Sequence, residues 1–172
     1  MDETAQRTEL AKEARRISED ATHSGASHFV EGQTWRAWAF WLGLPATIGL
    51  AITSAGAGLS VLLGGDAWLS AVLAFVVAIA VAVRDYVAAD AKATAHSTKG
   101  AHYFSLRDDA RRFANVEALG PRSLDALTAS LAALAARQKR LRDEEPREVS
   151  TRSREKARAG IEAGDYRHEV DS

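Results

Sequence analysis

The chain has no cysteine among its 172 residues, which excludes disulfides, thiolate metal sites and a cysteine nucleophile. It also lacks the short motifs of common catalytic and cofactor sites, including the dinucleotide fingerprint, the phosphate-binding loop, the serine-hydrolase elbow and the HExxH zinc motif. The spacing of its histidines does not put two imidazoles on one helix face. These five residues are His23, His28, His96, His102 and His168. We therefore predict no enzyme, no metal site and no cofactor.

Charge is missing from the middle of the chain. Between Ala37 and Val83 the only charged residue is Asp66. Each of the two charge-free segments is close to the ~20 residues with which a helix crosses ~30 Å of hydrocarbon, and a Gly-Gly-Asp turn separates them. The pattern predicts an all-α membrane protein with a two-helix transmembrane hairpin, about 38–63 and 67–87. The alternative is a hairpin buried in the core of a soluble protein.

The distribution of charge also predicts an orientation. All 22 Lys and Arg residues lie outside the interval between Arg36 and Arg84. The positive-inside rule then places both termini in the cytoplasm and the turn at 64–66 outside. A net charge of −1 argues against a nucleic-acid partner. Aromatic residues near the ends of the spans are the predicted membrane anchors, with core packing as the alternative, and they are Trp35, Trp38, Trp41, Trp68 and Tyr86.

Small and hydroxyl-bearing residues recur along both predicted spans. Their spacing permits close approach of two helix backbones in lipid, and hydroxyls on one side could line an oligomeric pore. For the hydroxyls, bonding to backbone carbonyls or to a neighbouring helix is the alternative. The candidate pore-lining or helix-packing residues are Thr47, Ser54, Gly58, Ser60, Ala74 and Ala78.

The charged flanks have helical periodicity. Before the hairpin, a polar helix up to about Phe29 carries an apolar stripe of Leu10, Ala14, Ile17 and Ala21, and Ser24–Ser27 could interrupt it. After the hairpin, the second span is predicted to continue as a long helix to Ala118, with a kink at Gly100 as one option. Its apolar side comprises Tyr103, Leu106, Ala110 and Phe113.

Two more helices are predicted after Gly120-Pro121, which ends the long helix. The first carries an a/d-like seam that could join copies in an oligomer or pack within the chain. The second runs from about Thr151 to Ala163 and ends at Gly164. The whole chain, 1–172, is predicted to be one domain with a cytoplasmic helix (1–36), the hairpin (37–87) and a cytoplasmic helical bundle (88–172). The seam residues are Leu124, Leu127, Leu131, Leu134 and Leu141.

Three parts of the sequence, in this order, resemble the SLATT family, the SMODS- and SLOG-associating two-transmembrane effector domains of bacteria. The first is the run Trp41-Leu42-Gly43-Leu44-Pro45-Ala46-Thr47-Ile48, and the second is His96 with Tyr103, Leu106 and Ala110-Arg111. The third is Pro146 followed by Ala157, Gly160-Ile161 and Gly164-Asp165-Tyr166. The resemblance covers nearly the whole chain, and the family has no assigned catalytic residues.

The resemblance implies an effector of the bacterial inner membrane in a nucleotide-signalled anti-phage or conflict system. Such an effector would oligomerise in the lipid bilayer and form a pore that depolarises the membrane when triggered. Its implied activating partner is a nucleotide second-messenger synthase or a SLOG-type sensor. The alternative function is a non-conducting membrane scaffold or anchor whose cytoplasmic helices dock a partner protein.

Overall fold

The computed structural model describes residues 2–63, 72, 75–79, 81–83, 88–146 and 148–166, with the backbone alone at 42 and 44–63. All regular structure in these ranges is helical. The helices are α1 (Glu3–Leu63), α2 (Ala89–Arg112), α3 (Leu124–Asp143) and α4 (Thr151–Ala163), and the π-helical turn Phe113–Glu117 follows α2. The chain forms two compact units, one of residues 1–32 and 94–172 and the other of residues 33–93.

The first unit is a helical bundle whose core comes from the predicted apolar stripes. Ala14 and Ile17 of α1 are buried, as are Leu106 of α2, Phe113 of the π-helical turn and Leu127 of α3. These side chains belong to two clusters, to which the partly buried Leu131 and Leu134 add contacts. The sequence-based prediction that these stripes pack in a helical core is therefore confirmed.

The prediction of a membrane hairpin is wrong for the described part of the chain, where no helix combines the length and the apolar character that a membrane span requires. In α1 the described side chains include all of the helix's charged residues, from Glu3 to Arg36. The multi-pass inner-membrane location that followed from the hairpin is overturned by the same finding.

Two predicted helix boundaries also need correction. The backbone of α1 is helical through 24–27, so these residues do not interrupt the helix. The prediction that the second span continues unbroken into α2 is wrong, because α2 begins at Ala89 after Ala88, whose φ is 47°. This positive φ lies outside the right-handed helical region and ends any regular helix at that residue.

The ends of α3 and α4 follow local sequence signals. Ser123 and Ser150 have extended backbones, and their hydroxyls accept hydrogen bonds from the amides of Ala126 and Ser153. Such caps satisfy amides that have no partner within the helix. Gly164 ends α4 with a φ of 91°, which glycine adopts without steric cost. The predicted bounds of α4, Thr151–Ala163, are confirmed.

Helices α1 and α2 approach each other closely at two glycines. A Cβ atom placed on Gly100 would lie 2.8 Å from Cδ2 of Phe29 and 3.1 Å from the carbonyl oxygen of Gly25. A Cβ atom on Gly25 would lie 3.3 Å from the carbonyl oxygen of Gly100. Gly100 therefore permits a close approach of the two backbones, and the kink considered from the sequence is absent because α2 continues through it.

We expect the substitution Gly100→Leu to lower the free energy of unfolding by about 1–3 kcal/mol, because an added side chain would force α1 and α2 apart. Urea denaturation measures the change. Gly43→Ala is the matched control, since a Cβ atom there meets nothing within 4 Å. Alanine in place of glycine inside a helix should stabilise it by about 0.5–1 kcal/mol. Equal effects of the two substitutions would contradict the close approach.

Candidate anion-binding site

The close approach of α1 and α2 brings two buried histidines together. Nδ1 of His28 lies 2.9 Å from Nδ1 of His96, and both side chains are nearly inaccessible to solvent. The ring of Tyr103 stacks on that of His28 with 5.8 Å between centroids. His96 and Tyr103 are seven residues apart, so both lie on the face of α2 that meets α1. His28 and His96 therefore form a contact between α1 and α2.

Both imidazoles are held neutral. Burial, followed by the nearby His96 and Lys99, lowers the pKa of His28 from 6.5 to about 4. Burial is also the largest cause that lowers the pKa of His96. Although burial alone would raise the pKa of Glu31, hydrogen bonds from Ser150 and Ser153 lower it, so this carboxylate is charged at neutral pH. The pair therefore remains a neutral, hydrogen-bonded contact at pH 7.

We expect the bundle to lose stability on acidification between pH 6.5 and pH 4. His28 binds a proton near pH 6.5 when the chain is unfolded but only near pH 4 when it is folded, so protons favour the unfolded state in this interval. Urea denaturation at pH 7 and pH 5 should differ by on the order of 1–2 kcal/mol. The double variant His28→Gln, His96→Gln should flatten this dependence, whereas His23→Gln, at an exposed position, should leave it unchanged. A wild-type stability that is independent of pH in this interval would contradict the expectation.

A buried lysine connects α2 to the segment between α3 and α4. Lys99 is only 4% exposed, and its Nζ donates hydrogen bonds to the carbonyl oxygens of Glu144 and Pro146, the latter at 2.8 Å. Glu31 of α1 holds the other end of this segment by accepting hydrogen bonds from the amide (3.1 Å) and hydroxyl (2.6 Å) of Ser150. These contacts place the start of α4 beside α1 and α2.

These helices line an open-sided cavity of about 410 Å³ within the first unit. The lining residues of α1, α2 and α4 are neighbours on one face of each helix, such as Ser24 and His28 of α1 or Arg154 and Arg158 of α4, and α3 contributes Arg142. None of the ten described lining residues is Asp or Glu, and four of them are Lys or Arg. The lining consists of His23, Ser24, Ser27, His28, Lys99, Tyr103, Arg142, Val149, Arg154 and Arg158.

No protein-family model, curated protein or solved structure matches the chain. The resemblance to the SLATT family therefore stays a prediction, and the cavity is interpreted from its own chemistry. That chemistry is a cationic, hydrogen-bonding lining of arginine, lysine, serine and tyrosine, which is suited to an anionic ligand.

None of the candidate site residues selected from the sequence is among the described residues that line the cavity. Thr47, Ser54, Gly58 and Ser60 have helical backbones in α1, but their side chains are outside the described part, as are Ala74, Trp68 and Tyr86 entirely. Ala78, Trp38 and Trp41 are exposed within the second unit, whereas Trp35 is partly buried and lies under Nζ of Lys92 at 4.5 Å from the ring centroid. The predicted anchoring and pore roles of these residues are not supported, because both required the membrane spans that the described helices do not provide.

The leucine seam of α3 packs within the chain. Leu127 is fully buried and Leu141 is 5% exposed, while Leu131 and Leu134 cover the two clusters of the bundle core. Leu124 is partly buried. These side chains contribute to the internal packing that the sequence left as the alternative, and the predicted role in joining copies stays a prediction.

Sequence reasoning missed the cavity because its lining comes from four helices and a connection that are far apart in the sequence. The histidines His23 and His28 were considered only as metal ligands, and Lys99 was not considered at all. The one local signal was the pair Arg154 and Arg158, four residues apart on a helix whose bounds were predicted well. Such a pair is equally typical of a solvated helix face, so it could not identify a site without the tertiary structure.

Proposed function

We propose that the chain is a regulatory binding protein whose helical bundle binds a small phosphate-bearing ligand in the cationic cavity. The single observation that carries this proposal is the convergence of Lys99, Arg142, Arg154 and Arg158 on one cavity whose described lining contains no carboxylate. Arginine side chains bind phosphate through paired, charge-assisted hydrogen bonds, which are stronger than hydrogen bonds between uncharged groups. Binding of an anion, rather than catalysis, is the chemistry that these residues support.

The size of the cavity and its hydrogen-bonding groups support a ligand rather than a single ion. A volume of about 410 Å³ falls within the range of small-molecule pockets, which is roughly 300–1,000 Å³. Hydroxyl groups of Ser24, Ser27 and Tyr103 belong to the same lining and could contact a sugar or a second phosphate. A nucleotide is the ligand class to test first, because the resemblance described above implies nucleotide signalling.

Isothermal titration calorimetry of the whole protein with pyrophosphate, ATP and adenosine tests the proposal. We expect pyrophosphate and ATP to bind with dissociation constants below about 100 μM and adenosine not to bind. Binding should weaken as salt rises from about 50 to 500 mM, because Arg142, Arg154 and Arg158 are exposed to solvent. No heat of binding from either phosphate compound at low salt would overturn the proposal.

The variant Arg142→Gln distinguishes this cavity from general surface charge. We expect it to weaken binding of pyrophosphate by about tenfold, the value of one charge-assisted hydrogen bond. Lys139→Gln is the matched control, because it removes one positive charge from the same helix at an exposed position that does not line the cavity. Equal effects of the two substitutions would locate the binding elsewhere.

A further inference from the structure

Helix α4 has a small apolar contact with the rest of the bundle. Only Ser153 and Ala157 are buried among its 13 residues. Ala157 packs against Ala26 and Val30 of α1, and the partly buried Ile161, Phe104 of α2 and Tyr166 just after α4 cover this cluster. Because the stabilisation from burial scales with the apolar area removed from water, the small side chains that α4 buries stabilise its docked position only modestly.

The polar contacts of α4 lie mainly at its first turn. The hydroxyl of Ser150 both caps the helix and donates to Glu31, so the carboxylate of α1 holds the amino end of α4. Further along, Arg154 and Arg158 share the cavity lining with Lys99 of α2 and Arg142 of α3. Arg158 is paired with the carboxylate of Glu162 at 3.0 Å. The repulsion that opposes the docking of α4 therefore comes mainly from Arg154 facing Lys99 and Arg142.

We propose that an anion bound in the cavity stabilises the docked position of α4 against α1, α2 and α3. The docking of α4 then depends on whether the ligand is bound. This inference rests on the proposed function and adds the regulation of the same site. A bound phosphate replaces repulsion among the cationic side chains by attraction that includes both arginines of α4. A ligand that contacts the docked arrangement better than the detached one must shift the population toward the docked arrangement. By linkage, any change that detaches α4 must lower the affinity for the ligand to the corresponding extent.

Hydrogen exchange of the whole protein with pyrophosphate as the probe tests the inference. At free pyrophosphate ten times its dissociation constant, exchange of the α4 amides should slow by up to about elevenfold, which is the factor 1 + [L]/Kd. Amides near Leu127 in the core of α3 open only with the whole bundle, so ligand binding slows their exchange by the same factor whether or not α4 detaches locally. The α4 amides, which are expected to exchange through local detachment, slow by this factor only if that detachment releases the ligand. The binding itself is measured by calorimetry on the same sample.

The variant Ala157→Leu tests the reverse direction. The larger side chain should displace α4 from Ala26 and Val30 and thereby accelerate exchange of the α4 amides. It should also lower the affinity for pyrophosphate by about tenfold or more, although residue 157 does not line the cavity. The matched control is Ala159→Leu at an exposed position of the same helix, which should change neither quantity. Exchange of the α1 to α3 amides shows whether the rest of the bundle remains folded.

The outcomes separate the two proposals. Measured binding of pyrophosphate with unchanged α4 exchange, or an Ala157→Leu variant with faster exchange and wild-type affinity, overturns the inference and leaves the proposed function standing. Absence of pyrophosphate binding by calorimetry overturns both. The inference is supported if pyrophosphate binds and slows exchange of the α4 amides, and if it binds Ala157→Leu more weakly than Ala159→Leu.

Discussion

Replacing both Arg154 and Arg158 with glutamate should lower the affinity for pyrophosphate by about a hundredfold or more. Each arginine would contribute a charge-assisted hydrogen bond of about 1.5–3 kcal/mol to a bound phosphate, and about 1.4 kcal/mol corresponds to a factor of ten. Arg158 would exchange its exposed ion pair with Glu162, at 3.0 Å, for the phosphate, which subtracts at most about 1 kcal/mol. The two glutamates add repulsion of the anion to the loss of these bonds. Calorimetric titration of the purified variant measures the change.

The chain provides a control with the same change in net charge. Arg152 and Lys156 are also four residues apart on α4, are exposed and do not line the cavity. The double variant Arg152→Glu, Lys156→Glu should retain most of the affinity, losing only the screened long-range attraction. If both double variants lose affinity equally, the general charge of α4 attracts the ligand and the cavity does not bind it.

The substitution Phe113→Ala should lower the free energy of unfolding by about 3–5 kcal/mol, a large fraction of the stability of a small domain. Phe113 is 1% exposed and is the largest fully buried side chain among the described residues, packed against Ala14 of α1 and Leu127 of α3. Removing its ring leaves a cavity where three helical segments meet, since the π-helical turn holds the side chain between α1 and α3.

Urea denaturation followed by circular dichroism measures this loss. Leu119→Ala is the control, because Leu119 is 76% exposed and lies six residues further along the same connection. The free energy of unfolding of the Leu119→Ala variant should stay within about 0.5 kcal/mol of the wild-type value, as for most surface substitutions. A loss below about 1 kcal/mol for Phe113→Ala would mean that the described core does not stabilise the fold.

Periodicity predicted the first unit well because its helices are amphipathic. The stripes through Ile17, Leu106 and Leu127 are buried as predicted, and the cap signals at Gly164 and Ser150 mark where α4 ends and begins. Each of these features is local, since one face of a single helix or one terminal residue determines it. The same rules failed at residues 24–27, whose own helical propensity is weak. The helix continues there because Gly25 packs closely against Gly100 of α2.

The membrane prediction failed for a different reason. It rested on the absence of charge between Ala37 and Val83, and such an absence describes composition without showing how the segment packs. In the described helices the length and apolar character of a span do not occur together. The cavity could not be predicted at all, because Lys99 and Arg154 become neighbours only after α2 and α4 have docked on α1.

The buried contact between His28 and His96 has a consequence for the lining of the cavity. Two neutral imidazoles that share a hydrogen bond through their Nδ1 atoms must be in opposite tautomers, one with the proton on Nδ1 and the other with it on Nε2. Moving both protons interchanges the tautomers, so His28 can offer Nε2 either as an acceptor or as an N–H donor without any change in net charge. In the proposed complex an anion beside His28 would favour the tautomer with the proton on Nε2, and His96 would then donate from Nδ1 to His28 at unchanged net charge.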